Sequence, residues 1–212
     1  MRITHHPSFE KIAREHLKNA TELNDTIQGK INNLDSQTSL SEEERNGEEA
    51  INVDPLRTQM SSSCLITIVF AALYTEAFIY DYLAKNLSDN FVEEHLDKTD
   101  VTSKWVLSSK LIVGKDFPKD KHPFQLLKQL VKDRNTIVHS KSTNLLDFNQ
   151  ESENPILTAK VKEKYKFSSE LLKKASDAIR TLDELAKTIQ QLDPSERMVS
   201  VTSLQKNKRH KK

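Results

Sequence analysis

The chain has 212 residues, enough for one domain or one domain with tails, and its 32 Lys and Arg against 31 Asp and Glu leave a net charge of +1. That balance excludes a global electrostatic pull toward nucleic acid or membrane, so any basic site has to come from local clustering. Three Gly and six Pro, among 30 % charged and 36 % hydrophobic residues, favour helix over sheet. The one cysteine, Cys64, rules out an intramolecular disulfide and a cysteine-based zinc site. It sits in an apolar run and reads as a buried, inert thiol in a reducing, cytoplasmic compartment. Residues 1–8 are polar and carry no apolar signal region. The longest apolar run, residues 64–73, falls far short of the ~20 residues that cross a bilayer.

In chain order, Phe9, Ile12, Ala13, Leu17, Ala20, Leu23, Ile27 and Ile31 recur at three- and four-residue steps and predict an N-terminal helix within residues 1–35. Residues 36–54 are polar and acidic at their start and read as a flexible linker. A second helix, about residues 55–87, is apolar nearly all round between 65 and 82, as a central bundle helix would be, with Glu76 and Asp81 interrupting it. A turn at 97–100 precedes a short helix over 103–113, closed by Gly114 as a left-handed cap. The loop 115–121 is basic, and Pro123 opens the next helix, which runs to about 140. After a polar loop at 144–155, a last helix covers about 157–192 and Pro194 ends it. Residues 194–212 read as a basic disordered tail finishing in KNKRHKK. The expected architecture is all-α: an antiparallel bundle of four or five helices, with residues 55–193 as its core.

One residue breaks the pattern. In PFQLLKQLVKDRNTIVHS, Phe124, Leu126, Leu127, Leu130, Val131, Ile137 and Val138 fall within roughly 80° of one direction at ~100° per residue. Arg134 points the same way. An unpaired buried charge is expensive, so Arg134 needs an anionic partner or a wet cleft, and Glu76 is the favoured partner over Asp81. His139 lies five residues on, at the rim of the stripe and the end of the helix, where a protonated imidazole is favoured. Either residue alone has an ordinary structural explanation, a register-fixing ion pair or a helix cap. Together, with Asn135 adjacent, they point to a site.

The segment Arg134-Asn135-Thr136-Ile137-Val138-His139 resembles the R-x4-H motif of HEPN domains. Upstream, FAALYTEAFIYDYLAKNL is similar to the first core helix of bacterial HEPN-like proteins, and SKWVLSSKLIVGKDFPKDKHPF to the stretch before their motif helix. The resemblance covers about residues 62–142. It implies an α-helical bundle of HEPN type, commonly a homodimer, in which two motif helices meet on a two-fold axis. Many members are metal-independent ribonucleases of toxin–antitoxin or antiviral systems; others only bind RNA, nucleotide or protein. By resemblance, Arg134 and His139 are the catalytic pair, with Asn135 and Glu76 in support. Tyr80 stands where the family's first helix often has Asn.

RNA cleavage of this kind needs no cofactor or metal. An imidazole near neutrality moves the protons, and a guanidinium clamps the phosphate and meets its added charge. One chain supplies one of each, so a two-fold dimer suits a composite site. Lys115, Lys119, Lys121, Lys128, Lys132 and Lys141 lie near the motif; Lys128, Lys132 and Lys141 are the candidate RNA contacts, with solvated surface lysines as the plain alternative. His5, His6 and His16 have no metal-ligand spacing with acids, and no phosphate-cradling Gly loop or nucleophilic triad is present. The leading expectation is therefore an endoribonuclease with RNA as substrate and an antitoxin or defence-system partner. The alternatives are a catalytically silent HEPN-like RNA- or protein-binding module and a purely structural dimerising bundle.

Overall fold

Helix is the only regular secondary structure among the described residues, 6–139 and 155–195, of the computed structural model. Seven helices follow in order: α1 (His6–Ser36), α2 (Glu42–Asn52), α3 (Asp54–Leu87), α4 (Asp89–His95), α5 (Val101–Val113), α6 (His122–Val138) and α7 (Pro155–Leu192). The all-α expectation holds, with more helices than the four or five read from the pattern.

α3 is the axis of the bundle. Pro at its first turn starts it, and its buried residues point in every direction, from Met60 and Cys64 through Ile68, Ala71, Phe78 and Ile79 to Leu83. By length and composition it is apolar enough to cross a membrane, yet more than half of its apolar stretch is buried inside the bundle. Burial pushes the Cys64 thiol up to about 11, which keeps it protonated and unreactive at neutral pH. Down one side, Tyr74, Phe78 and Tyr82 stack at four-residue steps, with successive ring centroids 6.2 Å apart. Trp105 of α5 lies against Phe78 at 5.6 Å, and its indole N–H donates to the Thr75 carbonyl at 3.3 Å.

α1 lies along α3 in the opposite direction. His6 Nδ1 meets Asp81 Oδ2 at 3.0 Å, Thr67 Oγ1 donates to the Ala13 carbonyl at 3.3 Å, and Asn19 donates to Ser63 Oγ at 2.9 Å, so positions climb on one helix as they fall on the other. Small buried residues, Ala13 and Ala20, permit that approach. Residues 6–36 are thus an integral wall of the bundle. α7 closes the far side through Ala175, Ala178, Leu182, Leu185 and Ile189. It runs parallel to α3, not antiparallel: Tyr74 feels the charge of Asp183, and Tyr82, two turns on, donates to Asp193 Oδ2 at 2.8 Å. Lys115 Nζ also reaches the Leu192 carbonyl at 3.0 Å, occupying an orphan acceptor at the C-terminus of α7.

A charged network crosses this seam. Arg14 of α1 donates to Glu10 Oε1 at 2.9 Å and to Asp183 Oδ1 at 2.6 Å. Burial disfavours the guanidinium charge, but hydrogen bonds and attraction from Asp183 and Glu10 outweigh it and raise the Arg14 pKa. Burial, seconded by Glu10, pushes the Tyr74 phenol well above its ordinary value.

The segment expected as a linker contains α2. Its start is a capping box: Ser41 Oγ accepts from the Glu44 N–H at 3.3 Å, and Glu44 Oε2 accepts from the Ser41 N–H at 2.9 Å. The Ser41 N–H, seconded by the Ser41 hydroxyl donating to the same Oε2 at 2.8 Å, holds the Glu44 carboxyl below its usual range. α2 buries no residue of its own, and its anchor is Arg57, 4 % exposed, which pairs with Glu49 at 2.7 Å and Asp54 at 2.9 Å.

α5 opens at Asp100, whose carboxylate accepts from the Ser103 N–H at 3.0 Å, and ends at Gly114 with φ 70. Hydrogen bonding from Ser103, then Thr102, lowers the Asp100 pKa from 3.8 to about 2. A depressed carboxyl stabilises the fold above its unfolded pKa and loses that contribution on protonation. The thermal advantage of the wild type over Asp100→Ala should therefore fade as pH falls from 3.8 to about 2, which melting curves across that range would show.

Candidate functional site

α6 carries the motif, and the structure rotates it relative to the sequence expectation. Its buried residues are Leu127, Leu130 and Asp133. The charge turned inward is that of Asp133, 8 % exposed, which meets Lys174 Nζ of α7 at 3.1 Å and accepts from Gln129 Nε2 at 3.1 Å. Arg134 is half-buried on the next flank, and its Nη1 donates to Asn135 Oδ1 at 3.0 Å. The expected Arg134–Glu76 pair is absent. Glu76 is exposed on another face of α3 and lines a separate cleft beside α1 and α5. The apolar stripe of α6 was wide enough to serve either flank; α7 takes the Leu126–Leu130–Asp133 side, leaving Val138 51 % exposed.

His139 caps the C-terminus of α6, its N–H bonded to the Asn135 carbonyl at 2.9 Å, with an exposed side chain. It shares an open cleft of about 620 Å³ with Asn135, Thr136, Lys132 and Lys128 of α6 and Thr102 of α5. The four-residue steps from Lys128 to Lys132 to Thr136 put these groups on one face of the helix. Asn135 links the arrangement: it lines the cleft, its carboxamide oxygen accepts from Arg134, and its carbonyl holds the His139 backbone.

Of the expected site residues, His139, Asn135, Lys128 and Lys132 thus come together, Arg134 adjoins them through Asn135, and Glu76 stands apart. Lys141 and the basic tail lie outside the described residues. Sequence reasoning missed Thr102, which arrives from another helix and carried no local signal. It also missed Thr136, which the helical step from Lys132 pointed to. Two cations, an imidazole and an amide on this open surface are groups that can meet an anion and move a proton, while the Thr136 and Thr102 hydroxyls already donate to the Lys132 carbonyl and the Asp100 carboxylate. Among the described residues no three His, Cys, Asp or Glu side chains cluster as metal ligands. The chain matches no protein-family model, no curated protein and no solved structure in comparisons with known proteins.

Proposed function

We propose that this chain is a HEPN-type, metal-independent endoribonuclease that works as a homodimer in the cytoplasm, in phage defence or as the toxin of a toxin–antitoxin pair. The observation that carries it is the α6 terminus, where His139 and Asn135 flank Lys132 and Lys128 in one open cleft with Arg134 bonded to Asn135. In the reaction, a 2′-hydroxyl attacks phosphorus and the bond to the 5′-oxygen breaks, giving a 2′,3′-cyclic phosphate and a 5′-hydroxyl end. One imidazole takes the 2′-OH proton, and a second protonates the departing oxygen. Two copies meeting along α6 supply both, and the Arg134 guanidinium, swung from Asn135 onto the phosphate, meets the added negative charge.

The test is incubation with mixed-sequence RNA in EDTA, at concentrations where sedimentation shows a dimer, with analysis of the new ends. Cyclic phosphate ends support the reading; no cleavage transfers it to the silent RNA-binding module. One observation favours that second reading: Arg134 is engaged by Asn135 and does not itself line the cleft.

Both readings make the lysines phosphate contacts. Lys128→Gln with Lys132→Gln should weaken RNA binding similarly for all sequences and reduce the salt slope of the affinity by roughly 1 to 2, as expected for two lost single-strand phosphate contacts. Titrations at several salt concentrations would measure it, and an unchanged slope would remove this groove from the RNA path.

A further inference from the structure

The cleft that holds Glu76 lies between α1, α3 and the start of α5, away from the α6 groove, and encloses about 340 Å³. Its apolar surface comes from Phe9, Leu73, Ala77 and Tyr80. Its polar edge is unusual. Lys104 is 5 % exposed, yet its ammonium makes only one bond, to the Asp97 backbone carbonyl at 3.1 Å, and no ion pair among the described residues. An ammonium has three donors, and a buried one without a counter-ion is costly. Glu76, on the same cleft, has no hydrogen bond or ion pair among the described residues, and Asp97 lines the cleft beside it. Asp81, also on the rim, is engaged by His6 at 3.0 Å. The cleft therefore holds a buried positive charge and the Glu76 carboxylate on one apolar surface without pairing them.

Charges kept apart in this way suit a ligand that bears both signs. We infer that this cleft is a binding site for a small zwitterion of the free amino-acid class with an apolar side chain. Its carboxylate would bond to Lys104, its ammonium to Glu76, and its side chain would lie over Leu73 and Ala77. The volume sits at the small end of known ligand sites, which suits such a molecule. A simple anion would be repelled by the carboxylates, and a simple amine by Lys104. The site is independent of RNA cleavage.

Isothermal titration of the full chain with L-leucine and L-methionine tests it, with 4-methylpentanoate and isoamylamine as leucine analogues lacking one charge each. Saturable binding of an amino acid in the millimolar range or tighter is expected, with each analogue weaker by roughly tenfold or more, the effect of one lost charge-assisted contact. Glu76→Gln should weaken the zwitterion and isoamylamine but not 4-methylpentanoate; Lys104→Met should weaken the zwitterion and 4-methylpentanoate but not isoamylamine. Glu76 is exposed, so Glu76→Gln decides the matter even where Lys104→Met fails to fold. Absence of binding by either amino acid, an analogue that binds as well as leucine, or indifference to Glu76→Gln would overturn the assignment.

Discussion

His139→Ala should slow RNA cleavage by about 10²- to 10⁴-fold, the usual worth of a positioned proton-transfer group. The same change should leave stability within about 0.5 kcal/mol, since the side chain is exposed and makes no hydrogen bond among the described residues. Its backbone bond to Asn135 survives the substitution. Arg134→Ala should also abolish most cleavage, and Arg134→Lys should restore only part of it, because an ammonium keeps the charge but not the two-pronged fork. Rates from a fluorescent RNA, beside melting curves, separate the outcomes. A His139→Ala protein that cleaves at the wild-type rate would end the nuclease reading of this motif.

The largest effect on stability should come from Arg14→Leu. Glu10 is 1 % exposed, and one of its carboxylate oxygens already has no hydrogen-bond partner. Removing the guanidinium strands that carboxylate inside the bundle and also frees Asp183. Breaking a buried pair on one side in this way typically costs about 3–5 kcal/mol. Most of that loss is the penalty of an uncompensated charge, so the double substitution Arg14→Leu with Glu10→Gln should recover a large part of it. Urea unfolding of the two single variants and the double gives the cycle. Additive losses would mean that the network contributes no more than its separate contacts.

Much of the helical order was legible because breakers mark it: Pro at the first turns of α3 and α6, Gly114 closing α5, and Pro194 past α7. α2 was legible in principle, since Ser41 followed by Glu44 is a helix-start signature, but its acidic composition reads as linker when scanned for apolar periodicity. The site was less legible for a different reason. Periodicity gives the mean direction of an apolar stripe and not which neighbour will cover which flank, so the inward charge on α6 fell to Asp133 and not to Arg134. Lys174, which receives it, lies 41 residues further along the chain (174 − 133). The Glu76 assignment failed likewise, because both acids of α3 were visible but the helix around them, buried on several sides, left their facing to α1 and α5.

The link between Arg14 and Asp183 joins residues 169 positions apart, near the two ends of the chain. During synthesis the apolar axis helix leaves the ribosome long before the helix that covers it. Until α7 has been made, the bare flank of α3 is a natural target for chaperones or for premature self-association. A stalled or C-terminally truncated product should therefore be cleared by proteases, so that the cell accumulates the finished bundle and not its fragments.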